Sequence, residues 1–411
     1  MFFIYQFLLS IIIILSPLIV ILRILKNKED KIRFKEKFCF FSKKRGNGKL
    51  VWFHGASVGE IMSVLPIINE FEKNKSIDKI LITTSTLSAS KIVEKIKFQK
   101  VVHQFFPIDH IFFSKKFLNF WKPNLAIFIE SEIWPSMFKN LKKKNIPLIL
   151  LNARITSKSF NRWSKIKKFS ESIFNLISVA YPQNNETKFF LKKFNVKNKK
   201  LIGNLKFIQN KKLSKNSNKN EKNLFKQFKK YKTLVAASTH PTEEILAAKT
   251  HLLLKKKNKN FITVIIPRHV HRTNEIISEL KKLKLEIVVH SSKNKNLNNK
   301  DIYIVDTFGE SKKFYKIAST VFVGGSMINR GGQNPLEPAR YGTKILHGPN
   351  VGNFKEIYDY LNSLNISSKV KTPLEISNSF KFKKNMSNVK KIDIIGKNIL
   401  KKTLKELNKS I

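Results

Sequence analysis

Short apolar runs recur along most of the chain, with amphipathic stretches between them. Leu50–His54, Ile80–Thr84, Val101–Phe106, Leu125–Ile129, Leu148–Leu151 and Leu176–Ala180 have the length and bulk of buried strands. After the first run, Ile61, Val64, Leu65, Ile68 and Phe71 recur at helical spacing and predict a helix with one buried face. The alternation resumes with Leu234–Ala237, Ile262–Ile266, Ile302–Val305 and Thr320–Val323. Strands alternating with helices predict parallel sheets joined by right-handed crossovers, so the chain reads as α/β with two Rossmann-like, doubly wound domains. Ligands of such sheets bind at the carboxyl ends of the strands, which directs attention to the residues just after each run.

One apolar run differs by its length. Phe2 to Leu22 carries no charge and is interrupted only by Gln6, Ser10 and Ser16. A bilayer-spanning helix needs about 20 such residues. Arg23, Lys26, Lys28, Lys31, Arg33, Lys35 and Lys37 follow it, whereas a secretory signal carries its positive charge ahead of the apolar run. The expectation is an uncleaved, single-pass transmembrane anchor helix in the inner (plasma) membrane, with the remaining chain on the cytoplasmic side. Pro17 leaves a kinked or interfacial helix as the alternative. The expected division is an anchor at 1–25, a basic juxtamembrane segment at 26–48, a first domain at 49–205, a second at 206–385 and a C-terminal helix at 386–411. Within the second domain, the charged stretch Lys211 to Lys230 reads as a linker and a solvated helix surface.

Composition changes the picture in two ways. Lys and Arg number 79 against 28 Asp and Glu, a net charge of +51 spread along the whole chain. Such a field favours anionic inner-membrane lipids, phosphorylated lipids or nucleic acid. A nucleic-acid binder needs a basic face with interleaved aromatics, and the diffuse charge here does not supply one, so no nucleic-acid partner is expected. The only cysteine, Cys39, excludes an intramolecular disulfide and a cysteine-based metal cluster.

Candidate chemistry clusters at the predicted strand ends. After the first run comes His54-Gly55-Ala56-Ser57-Val58-Gly59-Glu60. Ser57 and Glu60 match a helix capping box; equally, Glu60 is a carboxylate placed to take a proton from a substrate hydroxyl. After the fourth run comes Glu130-Ser131-Glu132-Ile133-Trp134-Pro135, where one acid can cap the next helix while the other faces a cleft. Arg154, Ser157, Ser159 and Arg162 follow the fifth, and an arginine there holds either an anionic acceptor or a surface salt bridge. In the second domain Glu243 and Glu244 fall in a first helical turn, and Arg268 follows a strand directly, where a phosphate would sit. His240, His269 and His271 lack zinc-ligand spacing, and no metal is expected. Thr320–Val323 runs into Gly324-Gly325 and Gly331-Gly332, which can present bare N–H groups, then into Asn334 as N-cap, Pro335 at the first helical position and Glu337 three after the cap. That helix end would attract a phosphate. Two such domains facing a cleft suit a nucleotide-sugar enzyme, with the acceptor on the first domain and the nucleotide on the second.

The stretches HGASVGE, ESEIWP, NARIT, GNLKF, PRHVHR, FGE and GGQNPLEPA, in this order, closely resemble the membrane-anchored 3-deoxy-D-manno-octulosonic acid (Kdo) transferases of lipopolysaccharide synthesis. The resemblance runs from the N-terminal segment to about Asp359, and the NPLEPA, VGE and ESEIWP blocks together are its most specific part. It implies a GT-B fold, a CMP-Kdo donor, a lipid A precursor (lipid IVA) as acceptor, inverting transfer and no metal. It also implies Glu60 as proton acceptor, with Glu130 and Lys206 assisting the transition state. CMP contacts are implied at Pro267 and Arg268, at Phe308, Gly309 and Glu310, and at Asn334, Pro335, Leu336 and Glu337. The chain departs from the family pattern at Gln333, where histidine is usual, and at Ser131, where threonine is usual. Two other readings stay open: a GT-B-fold glycosyltransferase or epimerase using a UDP-sugar, and a membrane-tethered nucleic-acid-binding protein.

Overall fold

Apolar runs become strands because a sheet covered on both faces buries every residue of a central strand. β1 (Leu50–His54), β2 (Lys79–Thr84), β3 (Val101–Phe105), β4 (Leu125–Ile129), β5 (Leu148–Ala153) and β6 (Val179–Pro182) form a sheet ordered β3-β2-β1-β4-β5-β6. All its pairings are parallel. The chain winds outward from β1 to β3, returns to β4 and winds outward the other way. The loops after β1 and β4 therefore diverge at the middle of the sheet, where doubly wound folds open a crevice. Trp52 on β1 is fully buried against Phe117 and Phe128, and its indole N–H donates to Thr83 Oγ1 at 2.9 Å.

The second sheet contains β7 (Lys232–Thr239), β8 (Phe261–Pro267), β9 (Ile287–Val289), β10 (Ile302–Ile304), β11 (Thr320–Val323), β12 (Lys344–His347) and β13 (Ser367–Lys369). Its order is β13-β12-β11-β7-β8-β10-β9, again all parallel, with the reversal between β7 and β11. The computed structural model describes residues 1–96, 98–208, 219–293 and 295–411, with side chains omitted at 219–222. The chain divides into two compact units, Met1–Lys211 with Ile395–Ile411, and Lys212–Ile394. The start of the charged stretch from Lys211, up to residue 218, lies outside the described residues; a helix, Lys219–Phe228, follows.

Two strand expectations need correction. The sixth strand begins at Val179, not Leu176, because the N–H groups of Leu176 and Ile177 close back on the carbonyls of Ile173 and Phe174 at the end of the helix Lys167–Phe174. Half of that apolar run finishes a helix. β9, β12 and β13 carry no expectation from the sequence: β13 is Ser-Ser-Lys, without an apolar run, and β9 and β13 are three-residue sheet edges.

The expected single anchor helix is a pair, α1 (Phe2–Ile14) and α2 (Ser16–Leu25), bent by 57°. Pro17 has no N–H and its ring crowds the carbonyl four residues back, so the ladder breaks there. The Ser16 hydroxyl donates to the Ile13 carbonyl at 2.6 Å. Neither helix alone is long and apolar enough to cross a membrane. Gln6, an interruption in the sequence pattern, is a docking residue: its amide donates to Ser136 Oγ at 2.7 Å and accepts from the Ile111 N–H at 2.9 Å. Beside it the Tyr5 hydroxyl donates to Asp109 at 2.7 Å, while Phe3, Phe7 and Ile14 stay exposed.

The C-terminal helix runs from Met386 to Leu407, within the expected 386–411, and its residues from Ile395 onward belong to the first unit. There Gly396 lies against the backbone of Phe207, so closely that a Cβ would sit 2.3 Å from the Phe207 carbonyl oxygen. Lys200 and Lys409 both pair with Glu406, at 2.6 and 3.1 Å.

Candidate active site

The reversal of strand order in the first unit gathers its acids. α3 (Val58–Lys73) starts directly after β1, and its capping box forms as expected. The Glu60 N–H donates to Ser57 Oγ at 3.4 Å, and the Ser57 N–H donates to Glu60 Oε2 at 3.1 Å. Glu60 is half-buried, and its proton affinity is raised to about 7. Burial is the main cause, followed by the negative charge of Glu132 and, more weakly, of Glu130; the N–H groups of Ser57 and Ala56 pull the other way.

At the end of β4 the chain turns sharply. Glu130 takes φ 56°, the left-handed region that non-glycine residues seldom occupy, and on the neighbouring β5 Asn152 does the same at φ 53°. The register of β5 shifts between Leu151 and Ala153. The Glu130 backbone is held on both sides, its N–H donating to the Leu151 carbonyl at 3.0 Å and its carbonyl accepting from the Arg154 N–H at 3.1 Å. The buried Glu130 carboxylate pairs with Lys206 Nζ at 2.8 Å. Lys206 sits in the short helical turn Leu205–Phe207, which packs against α3. Asn152 bridges the pair: its amide donates to Glu130 Oε1 at 3.4 Å and its carbonyl oxygen accepts from the Leu205 N–H at 3.0 Å. Asn204 accepts from the Lys206 N–H at 3.0 Å and donates to buried Gln183 at 3.3 Å.

Glu132 is held differently. Its Oε2 lies 3.0 Å from His54 Nε2 and accepts from the Trp134 indole at 2.9 Å. His54, fully buried, turns its other ring nitrogen to Thr83 Oγ1 at 2.9 Å. The structure thus brings Glu60, Glu130, Glu132 and Lys206 to one strand edge. Ser157 and Arg162 lie apart from them on the helix Ser157–Ser164, where the Ser157 hydroxyl donates to Glu186 at 2.7 Å.

The glycine-rich edge of the second unit corrects the sequence reading. Its N–H groups are not bare. Those of Gly325, Ser326 and Met327 donate to the fully buried Glu243 carboxylate at 2.7, 3.0 and 2.9 Å, and the His240 N–H joins them at 2.9 Å. The Gly324 N–H is taken by the Ala237 carbonyl at 2.8 Å. A Cβ on Gly324 would meet the Ser238 carbonyl oxygen at 2.5 Å and Glu243 Oε2 at 2.7 Å, so close approach requires glycine here. The helix after the loop is also shorter than expected. It is a single turn, Leu336–Ala339, with Pro335 as the cap residue, and the Asn334 side chain accepts from the Leu336 N–H at 3.0 Å. Glu337 forms no capping box; it is exposed and stands 3.8 Å from Lys312. One turn carries little dipole, so the expected phosphate site at that helix end loses its basis.

Cations hold the outer side of this edge. Arg268 is exposed just beyond buried Pro267, with its N–H donating to the Thr239 carbonyl at 2.9 Å. The His240 ring stands 5.6 Å from that of His269, and its proton affinity is lowered by burial and then by His269, Arg330, Arg268 and Arg272. Phe308 and Gly309 are exposed, Gly309 with φ 85°, and Glu310 pairs with Lys313 at 2.6 Å. The helix they lead into, Ser311–Tyr315, packs on the Leu336–Ala339 turn, which unites the Phe308–Glu310 and Asn334–Glu337 stretches. Sequence reading missed the roles of His54, Asn152, Asn204 and Glu243. The only local signal was for Glu243, an acid three residues after a loop end, and its partners at Gly325–Met327 lie far along the chain.

The family described as 3-Deoxy-D-manno-octulosonic-acid transferase (kdotransferase) matches residues 32–209. A 3-deoxy-D-manno-octulosonic acid transferase of Rickettsia bellii is 34% identical over 97% of this chain and 94% of its own length. The chain belongs to the 3-deoxy-D-manno-octulosonic acid transferase family. A Haemophilus influenzae transferase of the same name is 30% identical over 86% of this chain and 84% of its own. A glycosyltransferase structure from Rickettsia africae, 11% identical, superposes with a TM-score of 0.56 over 89% of this chain and 99% of that one, which shows the GT-B type of fold. For a Kdo transferase, the VGE and ESEIWP blocks thus meet at one strand edge with GNLKF, while PRHVHR, FGE and NPLEPA belong to the other unit.

Proposed function

We propose that this Kdo transferase moves Kdo from CMP-Kdo to lipid IVA, the lipid A precursor, with inversion at the anomeric carbon. The observation that carries the reading is Glu60, a carboxylate at the sheet's reversal point with its proton affinity near neutrality. A sugar hydroxyl is a weak nucleophile. Glu60 takes its proton as the new C–O bond forms, and the bond from the anomeric carbon to the phosphate oxygen breaks with its electron pair leaving on CMP. The sugar gains oxocarbenium character on the way, as in glycoside hydrolysis. The Glu130–Lys206 pair supplies fixed charges for that stage.

The second unit takes the nucleotide. Arg268 faces the phosphate, and the Phe308–Glu310 and Asn334–Glu337 stretches contact the CMP. Glu243, by occupying the loop N–H groups, directs the anion to the side chains outside the loop. Cationic side chains take the part of a metal, and the reaction needs none. The bent pair α1–α2 and the basic segment after it hold the enzyme at anionic inner-membrane lipids, where the diphosphorylated acceptor lies. Incubation of a tetra-acylated lipid A precursor with CMP-Kdo and the enzyme should yield a product heavier by one or more Kdo residues in a mass spectrum. Transfer from UDP-sugars instead of CMP-Kdo would overturn the reading in favour of the UDP-sugar alternative.

A further inference from the structure

Glu132 is more tightly held than an acid on a surface loop needs to be. Two donors from different parts of the sheet edge converge on one of its oxygens, the His54 ring at 3.0 Å and the Trp134 indole at 2.9 Å. His54 is the last residue of β1 and is locked in turn by Thr83. This tether joins the loop after β4 to the strand from which α3, and hence Glu60, emerges. The two strand ends also abut directly: the point where a Gly55 side chain would begin lies 3.2 Å from Glu60 Cβ and 3.3 Å from Ile129 Cδ1.

We propose that Glu132 is a positioning residue for Glu60, a fixed negative charge beside the base that sets the pH at which the base works. The proposal rests on the reading of Glu60 as the base. The other titratable or charged groups at this edge are His54, Glu130 with its partner Lys206, and Arg154, whose N–H donates to the Glu130 carbonyl. On the elements packed most closely against α3, the remaining charged residues are Lys91 and Glu94 on the helix Leu87–Glu94 and Lys79 at the opposite end of β2, and Glu94 is paired with Arg33 at 2.7 Å. Glu130 has its charge balanced by Lys206, whereas Glu132 is held by an imidazole and an indole. Glu132 stands ahead of Glu130 among the causes that raise the proton affinity of Glu60, as expected when Glu130 is paired with a lysine.

Glu132→Gln isolates the charge, because glutamine keeps the side-chain length and its carbonyl oxygen can accept both bonds. The pH profile of kcat/KM for the lipid acceptor is compared between wild type and this variant, with CMP affinity and melting temperature measured alongside. Without the charge, Glu60 becomes a weaker base: the acid limb should move to lower pH by about one unit, and turnover on the plateau should fall severalfold. An acid limb at the wild-type position overturns the proposal, since a purely structural Glu132 would leave it unmoved. If Glu132→Gln does not fold, Glu132→Asp decides: the carboxylate is kept but drawn back by one methylene from its place beside the base, the limb should move the same way by less, and an unmoved limb overturns the proposal. Glu60→Gln separates the two failures. If it retains turnover, the base assignment has failed; if it is inactive while the limb of the Glu132 variant stays put, only the role of Glu132 has failed.

Discussion

The two units build their strand edges from similar parts and turn them in opposite senses. In the first, Glu60 at the start of α3 and Glu132 on the loop after β4 are partly open, beside buried Glu130, whose backbone is bent through a positive φ. In the second, the acid points inward, with Glu243 buried beneath the glycine loop and consuming its N–H groups, while Arg268, His269 and Arg330 are left outside. The same doubly wound scaffold thus yields one edge with accessible carboxylates and one with accessible cations. The difference lies in which side chains neutralise the backbone. A carboxylate buried among N–H groups costs the fold little but is closed to a substrate, whereas Glu60, tied to its capping box yet only half-buried, stays accessible.

The comparison breaks most visibly at Glu60. Glu60→Gln keeps the side-chain length for the capping box but cannot accept a proton at neutral pH. It should fold, bind CMP and lose about 10²–10⁴-fold in turnover, the usual worth of a positioned base. Near-wild-type turnover would leave Glu60 as a cap only.

Next in size is the inward acid. Glu243→Gln presents an NH₂ group to a ring of N–H donors in a site with no exposure, and at least one donor loses its acceptor. Stability of the protein by denaturant titration should fall by about 2–3 kcal/mol. An unchanged midpoint would mean that the loop does not depend on this charge.

The outward acid also predicts a pH dependence. A base must be ionised, so kcat/KM should fall about tenfold per unit as the pH drops below about 7. The sign for stability is opposite. A carboxyl whose folded value lies above its ordinary 4.5 contributes stability at pH below that ordinary value, and the contribution is lost as the pH rises through about 7. Activity rising with pH while melting temperature declines over the same window is the expected signature.

Smaller effects sharpen the anion side. Arg268→Ala should weaken CMP binding by about tenfold in calorimetry, the low end for a charge-assisted hydrogen bond because the guanidinium is exposed. Unchanged affinity would remove Arg268 from the site. Treatment with EDTA should leave turnover unaltered, and a loss restored by Mg²⁺ would replace the side-chain account of the leaving phosphate.

Legibility in the sequence followed the range of the interactions. The long central strands and the Ser57–Glu60 box were readable because periodicity and capping act over a few residues. Glu60, Glu130 and Lys206 could be named because their motifs are specific to a family, not because spacing showed that they meet. The occupied state of the glycine loop was not readable. Glu243 and Met327 are 84 positions apart, and a loop filled by its own protein's acid looks the same in sequence as one filled by phosphate. The four-residue helix was misread for a related reason, since Asn334, Pro335 and Glu337 have the chemistry of a longer helix's start. The bend at Pro17 was visible, but the docking of Gln6 depends on Ile111 and Ser136, far along the chain.

The end of the C-terminal helix makes order of synthesis matter. The turn that carries Lys206 is covered by Gly396, made almost two hundred residues later. A ribosome adding about 5–20 residues each second finishes all of the second unit before that cover exists. The turn that carries Lys206, though made early, is therefore among the last parts of the first unit to be packed. A ribosome that stops before Gly396 releases a chain whose sheets are whole and whose first unit has lost its lock.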